Sequence, residues 1–200
     1  KEGTSIVRIV KIPDFLVEDE PVNWLVDGLL PDVGWTLFYG LRGIGKTTLA
    51  IQLCESLQNG KNFLGLHTKQ ADIMYIQADS VAVEWREIVR RVCTSKVNGM
   101  TVVDVPERSL GNNKYVEFMQ SKVQQYKPGF IVFDSLYNLS AWSINTEQVL
   151  FAVNMIKMIA GPVPFMLVHH PPHNESRASG HNSLSGNCSN DWCLLKTKLK

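Results

Sequence analysis

The sequence predicts an α/β fold in which a central, mostly parallel sheet carries helices on both faces. Three observations point there. Apolar runs of about five residues alternate with stretches of helical periodicity, the runs are continuously apolar, and the first of them leads through a glycine-rich loop of fixed pattern into a helix. Strands that are apolar on both sides are buried on both sides, which is the signature of parallel strands between helical layers. The 200 residues amount to about one domain.

Residues 1–34 read as irregular, punctuated by Pro13, Pro21 and Pro31, with Asn23 to Pro31 as a packed lead-in. This divides the chain into an N-terminal lead-in, residues 1–21, and one domain over 22–200. Trp35 to Tyr39 is a short apolar strand ending at Gly40, and an apolar-periodic helix then runs to Asn59-Gly60, a favourable stop. Asp72 to Gln77 is a second strand. Val81, Trp85, Ile88, Val89 and Val92 follow on one helical face. Thr101 to Val105 is the third strand, and a helix with Tyr115, Met119 and Val123 on one face succeeds it. Pro128-Gly129 opens the fourth strand, Phe130 to Asp134. Asn145 and Gln148 resemble a capping box for a helix carrying Val149, Val153, Ile156 and Ala160, which Gly161-Pro162 ends. Val163 to His169 is the fifth strand, residues 170–190 are a polar loop, and Asp191 to Lys198 is the final strand. The chain stops at Lys200 in what reads as an unfinished strand, so a piece of a longer protein is expected.

Composition narrows the function classes. Twenty Lys and Arg against 19 Asp and Glu give a net charge of +1, which excludes a globally basic nucleic-acid wrapper and an acidic disordered tail. Any attraction to phosphates is therefore local. No apolar run approaches the roughly 18 residues of a membrane span, and the first 30 residues lack a signal-peptide layout. Cys54, Cys93, Cys188 and Cys193 form neither a dense disulfide framework nor paired CxxC motifs. A reducing, cytoplasmic setting is the expectation.

Gly40-Leu41-Arg42-Gly43-Ile44-Gly45-Lys46-Thr47 fits G-x-x-x-x-G-K-[ST] at every fixed position, with Thr48 following. Chance supplies such a match in roughly one chain of this length in a hundred, and the strand before and helix after are the context the motif needs. Glycines let successive backbone N–H groups turn inward around a phosphate, and the helix N-terminus adds its positive end. Lys46 can reach the β- and γ-phosphates of a nucleotide, and the Thr47 hydroxyl can ligate Mg²⁺. Asp134 ends its strand at the sheet edge where open α/β folds bind ligands, and can organise the same ion; a plain strand-end aspartate is the alternative.

These residues resemble the RecA-fold P-loop ATPases, and most of all the RepA-like group of plasmid, phage and mobile-element replicative helicases, relatives of the hexameric DnaB-type helicases. The resemblance spans about residues 22–200. It includes Trp24-Leu25-Val26-Asp27-Gly28-Leu29-Leu30-Pro31, Asn59-Gly60-Lys61-Asn62-Phe63-Leu64-Gly65, Met74-Tyr75-Ile76-Gln77-Ala78-Asp79-Ser80, Phe165-Met166-Leu167-Val168-His169-His170 and Ser183-Leu184-Ser185-Gly186. It implies a Mg²⁺-dependent ATPase that moves on single-stranded DNA as a homo-oligomeric, hexameric ring, encoded by a phage, plasmid or other mobile element. Active sites would lie between subunits, since one chain offers no convincing arginine finger of its own.

One position departs from the pattern. The family's second motif ends in Glu-Asp, its glutamate polarising the attacking water, whereas here the stretch is Ala78-Asp79-Ser80. An aspartate is a methylene shorter, and misplacement by about 1 Å can cost on the order of a hundredfold in rate. Asp79 either replaces the glutamate or caps the helix that starts near Val81, and Glu84 is a weaker substitute. By resemblance one of His169 and His170 senses the γ-phosphate; a hydrogen-bonded core histidine is the plain alternative. Zinc held by His169, His170, His173, His181, Cys188 and Cys193 is disfavoured by spacing.

From residue 166 onward Arg177, Lys196, Lys198 and Lys200 outnumber Glu175 and Asp191. Arg177, Lys196 and Lys198 are candidate contacts to DNA phosphates, with solvated loop and strand-edge charges as the alternative. In related ATPases a basic residue here reaches the neighbouring subunit's nucleotide. Trp35 and Trp85 read as core, while Trp24, Trp142 and Trp192 can be subunit contacts. Two other readings stand beside the helicase: a filament-forming recombination or repair ATPase of the RecA type, and an NTP-binding switch with slow turnover.

Overall fold

A computed structural model of the chain describes residues 11–13, 21–78, 81–95, 97–105, 110–140, 146–170 and 184–196. The core is a six-stranded sheet of β3 (Trp35–Gly40), β4 (Ile73–Gln77), β5 (Met100–Asp104), β6 (Phe130–Asp134), β7 (Phe165–His169) and β8 (Asn190–Leu194). Its order is β5-β4-β6-β7-β3-β8, and all five pairings are parallel. The central strands β4, β6 and β7 are buried throughout, as continuous apolar runs require.

Helices cover both faces. On one side α1 (Lys46–Asn59) and α2 (Ala82–Val92) pack Ile51, Cys54, Leu57 and Trp85 against Phe38, Tyr75, Val132 and Val168. On the other, α3 (Asn113–Tyr126), the one-turn α4 (Leu136–Leu139) and α5 (Thr146–Ala160) pack Met119, Val123, Val153 and Ile156 against Leu37, Ile76, Ile131 and Leu167. Odd and even positions of each strand thus serve different helical layers. α1 stops at Gly60, in the left-handed region at φ 60°, where the N–H groups of Gly60 and Lys61 close onto the carbonyls of Leu57 and Ser56. Asn112 caps α3 by accepting from the Lys114 N–H at 3.0 Å.

Two expectations need correction. The lead-in is not wholly irregular: β1 (Trp24–Val26) and β2 (Leu30–Pro31) form an antiparallel hairpin that buries Leu25, Val26 and Leu30 beside α1. Its strands are too short to show a period. The final strand ends at Leu194, short of the expected Lys198, so Lys196 lies beyond it and exposed, while Lys198 is outside the described residues. Among the described residues β8 pairs only with β3. Trp192 packs within the fold, stacked on Phe63 and edge-on to Phe38. Trp35 and Trp85 are buried as expected, Asn145 and Trp142 lie outside the described residues, and no described helix is long and apolar enough to cross a membrane.

Candidate functional site

The glycine-rich loop leaves β3 at Gly40 and enters α1 at Lys46. Gly40 is required by proximity, because a Cβ there would lie 2.6 Å from the backbone oxygen of Leu194 on β8. Gly43 and Gly45 have φ of 75° and 104°, a region side chains rarely adopt. Gly45 is the N-cap of α1 and makes no side-chain cap bond, so the first-turn N–H groups of the helix face the loop. Leu41, Arg42 and Gly43 are exposed, and Ile44, Gly45, Thr47 and Thr48 are half-buried. Lys46 is buried, and its ammonium donates to the carbonyls of Gly40 at 2.7 Å and Leu41 at 2.9 Å.

Strand order brings the acid to this loop. β7 lies between β3 and β6, with Tyr39 opposite His169 and Val168 opposite Asp134, so Asp134 and Gly40 end at the same sheet edge. Asp134 is 1% exposed. Its Oδ2 accepts from the Thr47 hydroxyl at 2.8 Å and from the Tyr75 phenol at 2.7 Å. A carboxylate and a hydroxyl at the mouth of a phosphate-type loop are hard oxygen donors, the set that suits Mg²⁺ beside phosphates. Burial first, and then the Asp134 charge and hydrogen bond, push the Tyr75 phenol well above its ordinary range. Sequence reading passed over Tyr75; its signal was a polar-tipped aromatic inside an otherwise apolar strand.

The remaining candidates separate. His169 is buried and continues the alternation of Phe165 and Leu167, which face α3 and α5, the side away from Thr47. Half-buried His170 follows the end of β7. Asp79, Arg177, Lys198, His173 and His181 lie outside the described residues. The N-cap position of α2 is Val81, with no side-chain cap bond from it, and Glu84 is exposed in that helix's first turn.

The chain matches the family described as AAA domain over residues 4–176. The crystal structure of the KaiC-like protein PH0186 from the hyperthermophilic archaeon Pyrococcus horikoshii OT3 superposes with a TM-score of 0.57 at 17% identity, over 82% of this chain and 77% of that one. At that identity the likeness is one of fold. No curated protein matches the sequence. With a phosphate-binding loop, a parallel six-stranded sheet between helical layers and this family match, the chain belongs to the AAA domain family and carries a RecA-like P-loop ATPase fold.

Proposed function

We propose that the chain is the Mg²⁺-dependent ATPase motor domain of a RepA-like hexameric replicative helicase, coupling ATP hydrolysis to translocation on single-stranded DNA. The observation behind its ATPase half is the 2.8 Å hydrogen bond from Thr47 to Asp134, which joins the phosphate-loop helix to the acid of β6. In this reading the backbone from Gly40 to Thr48 cradles the triphosphate. Lys46 exchanges the carbonyls of Gly40 and Leu41 for the β- and γ-phosphates, and Thr47 and Asp134 hold Mg²⁺. Mg²⁺ held there would supply neutralisation of charge on the phosphate oxygens. Asp79 orients the attacking water, and one of His169 and His170 lies beside the γ-phosphate. The DNA half is supported by the resemblance over residues 22–200 and by the basic residues Arg177, Lys196 and Lys198.

A second reading, an NTP-binding switch with little turnover, is favoured by one observation: Ala78-Asp79-Ser80 stands where the helicases carry Glu-Asp. ATP hydrolysis with and without single-stranded DNA separates the two, with Lys46→Ala as control. Turnover that rises with DNA and vanishes in the variant supports the motor. Tight ATP binding without turnover in either condition refutes the motor for this chain and leaves the switch.

A further inference from the structure

The phosphate-loop reading accounts for the Thr47 hydroxyl on Asp134 Oδ2 but not for that of Tyr75. The latter comes from the sheet. Tyr75 is fully buried at the middle of β4, the strand beside β6, and donates to the same Oδ2 that accepts from Thr47. Its ring lies 5.3 Å from that of Trp85 on α2, tilted by 56°. Thr47 approaches from a helix that begins at the loop, whereas Tyr75 approaches from a central strand with hydrogen-bonded neighbours on both sides. Two hydroxyl donors on one oxygen restrict the rotation of the carboxylate.

We infer that Tyr75 is a positioning residue, holding Asp134 from the β4 side in the orientation that receives Mg²⁺ with the nucleotide. The inference rests on the ATPase reading above and extends it to a residue outside the phosphate loop. Losing a partner that orients a metal ligand typically costs about 10- to 100-fold in metal affinity.

The test compares the whole chain with Tyr75→Phe, Asp134→Asn and the double variant. A fluorescent ATP analogue is titrated in EDTA and then against rising Mg²⁺, and unfolding is followed without ligand. Tyr75→Phe keeps the ring and removes only the donor. The expected result is wild-type nucleotide binding in EDTA with a Mg²⁺ midpoint raised about tenfold. In the Asp134→Asn background the same substitution adds no further shift, because it acts through that carboxylate. A Tyr75→Phe midpoint equal to wild type, or an equal shift in both backgrounds, overturns the inference. A uniform loss of binding in EDTA and Mg²⁺ alike also overturns it, as the mark of a packing role. Tyr75→Met, which fills much of the same volume without a donor, supplies the comparison if Tyr75→Phe does not fold. Wild-type protein that binds no nucleotide, or binds it without regard to Mg²⁺, refutes the ATPase reading and the inference with it, a pattern distinct from a silent Tyr75→Phe on a metal-dependent parent.

Discussion

Replacing Gly40 by alanine tests whether the loop's first glycine is set by its neighbour on the sheet. The added Cβ would lie 2.6 Å from the Leu194 backbone oxygen, with the Leu194 Cβ at 3.3 Å and the Ile44 Cγ2 at 3.5 Å. An ordinary carbon–oxygen contact is about 3.3 Å, so β3 and β8 must part by roughly 0.7 Å. Gly40 and Leu194 are paired residues of the parallel ladder, so neither side can yield by a rotamer change. Overpacking of this kind costs about 1–3 kcal/mol. In a domain of this size ~2 kcal/mol lowers Tm by about 4–8 °C. Thermal unfolding followed by circular dichroism, without nucleotide, measures this directly. The same displacement moves the start of the loop, so nucleotide binding weakens alongside. A Gly40→Ala protein that melts within about 1 °C of wild type refutes the close-approach argument, whatever its effect on ATP.

Three further outcomes follow from the same coordinates. Lys46→Ala removes the cation assigned to the phosphates, and nucleotide-dependent activity should fall by at least about 100-fold in a hydrolysis assay while the fold persists. Glu55→Ala takes away the carboxylate that accepts from Thr94 N, Thr94 Oγ1 and Ser95 N. That should cost about 2 kcal/mol in denaturant unfolding, with Glu55→Gln recovering part of it. Burial raises the Cys54 thiol well above its usual 9.0; it also raises the Tyr115 phenol from 10.0 to about 12, and Tyr75 as well. Between its unfolded and its folded value each group holds a proton only when folded, so stability is complete below about pH 9 and falls as pH rises beyond it. A Tm constant from pH 8 to pH 11 contradicts this, and Tyr75→Phe should lessen the slope above pH 10.

Where burial leaves a mark in the residue order, the fold was readable. Phe130 to Phe133 and Phe165 to Val168 are apolar without a break because helices cover them on both sides. Gly60 announced the end of α1 by a conformation few other residues accept. The phosphate loop was readable because its spacing is set by backbone geometry alone. What was not readable depends on neighbours distant in sequence. β8 ends at Leu194, before Lys196, although the residue order gives no sign of a stop there. Tyr75 and Asp134 meet across two strands 59 residues apart, a contact no local pattern encodes. The side of the sheet on which His169 lies was hidden until the faces of β7 were assigned to different helical layers.

The position of β3 also bears on how the chain acquires its site during synthesis. Both strands that flank it, β7 and β8, come from the last part of the sequence, and Trp35 N–H meets Ser189 Oγ across 154 residues. At ordinary elongation rates the ribosome needs on the order of 10 s after completing β3 before β7 has been made. Until then this apolar strand has neither of its sheet neighbours, while β4, β5 and β6 can already pair with one another. Such long-range pairing is slow and exposes apolar surface to aggregation. Nascent chains that end before Phe165 should therefore hold a partly ordered half-sheet, depend on chaperones, and gain affinity for nucleotide only when β7 and β8 clasp β3.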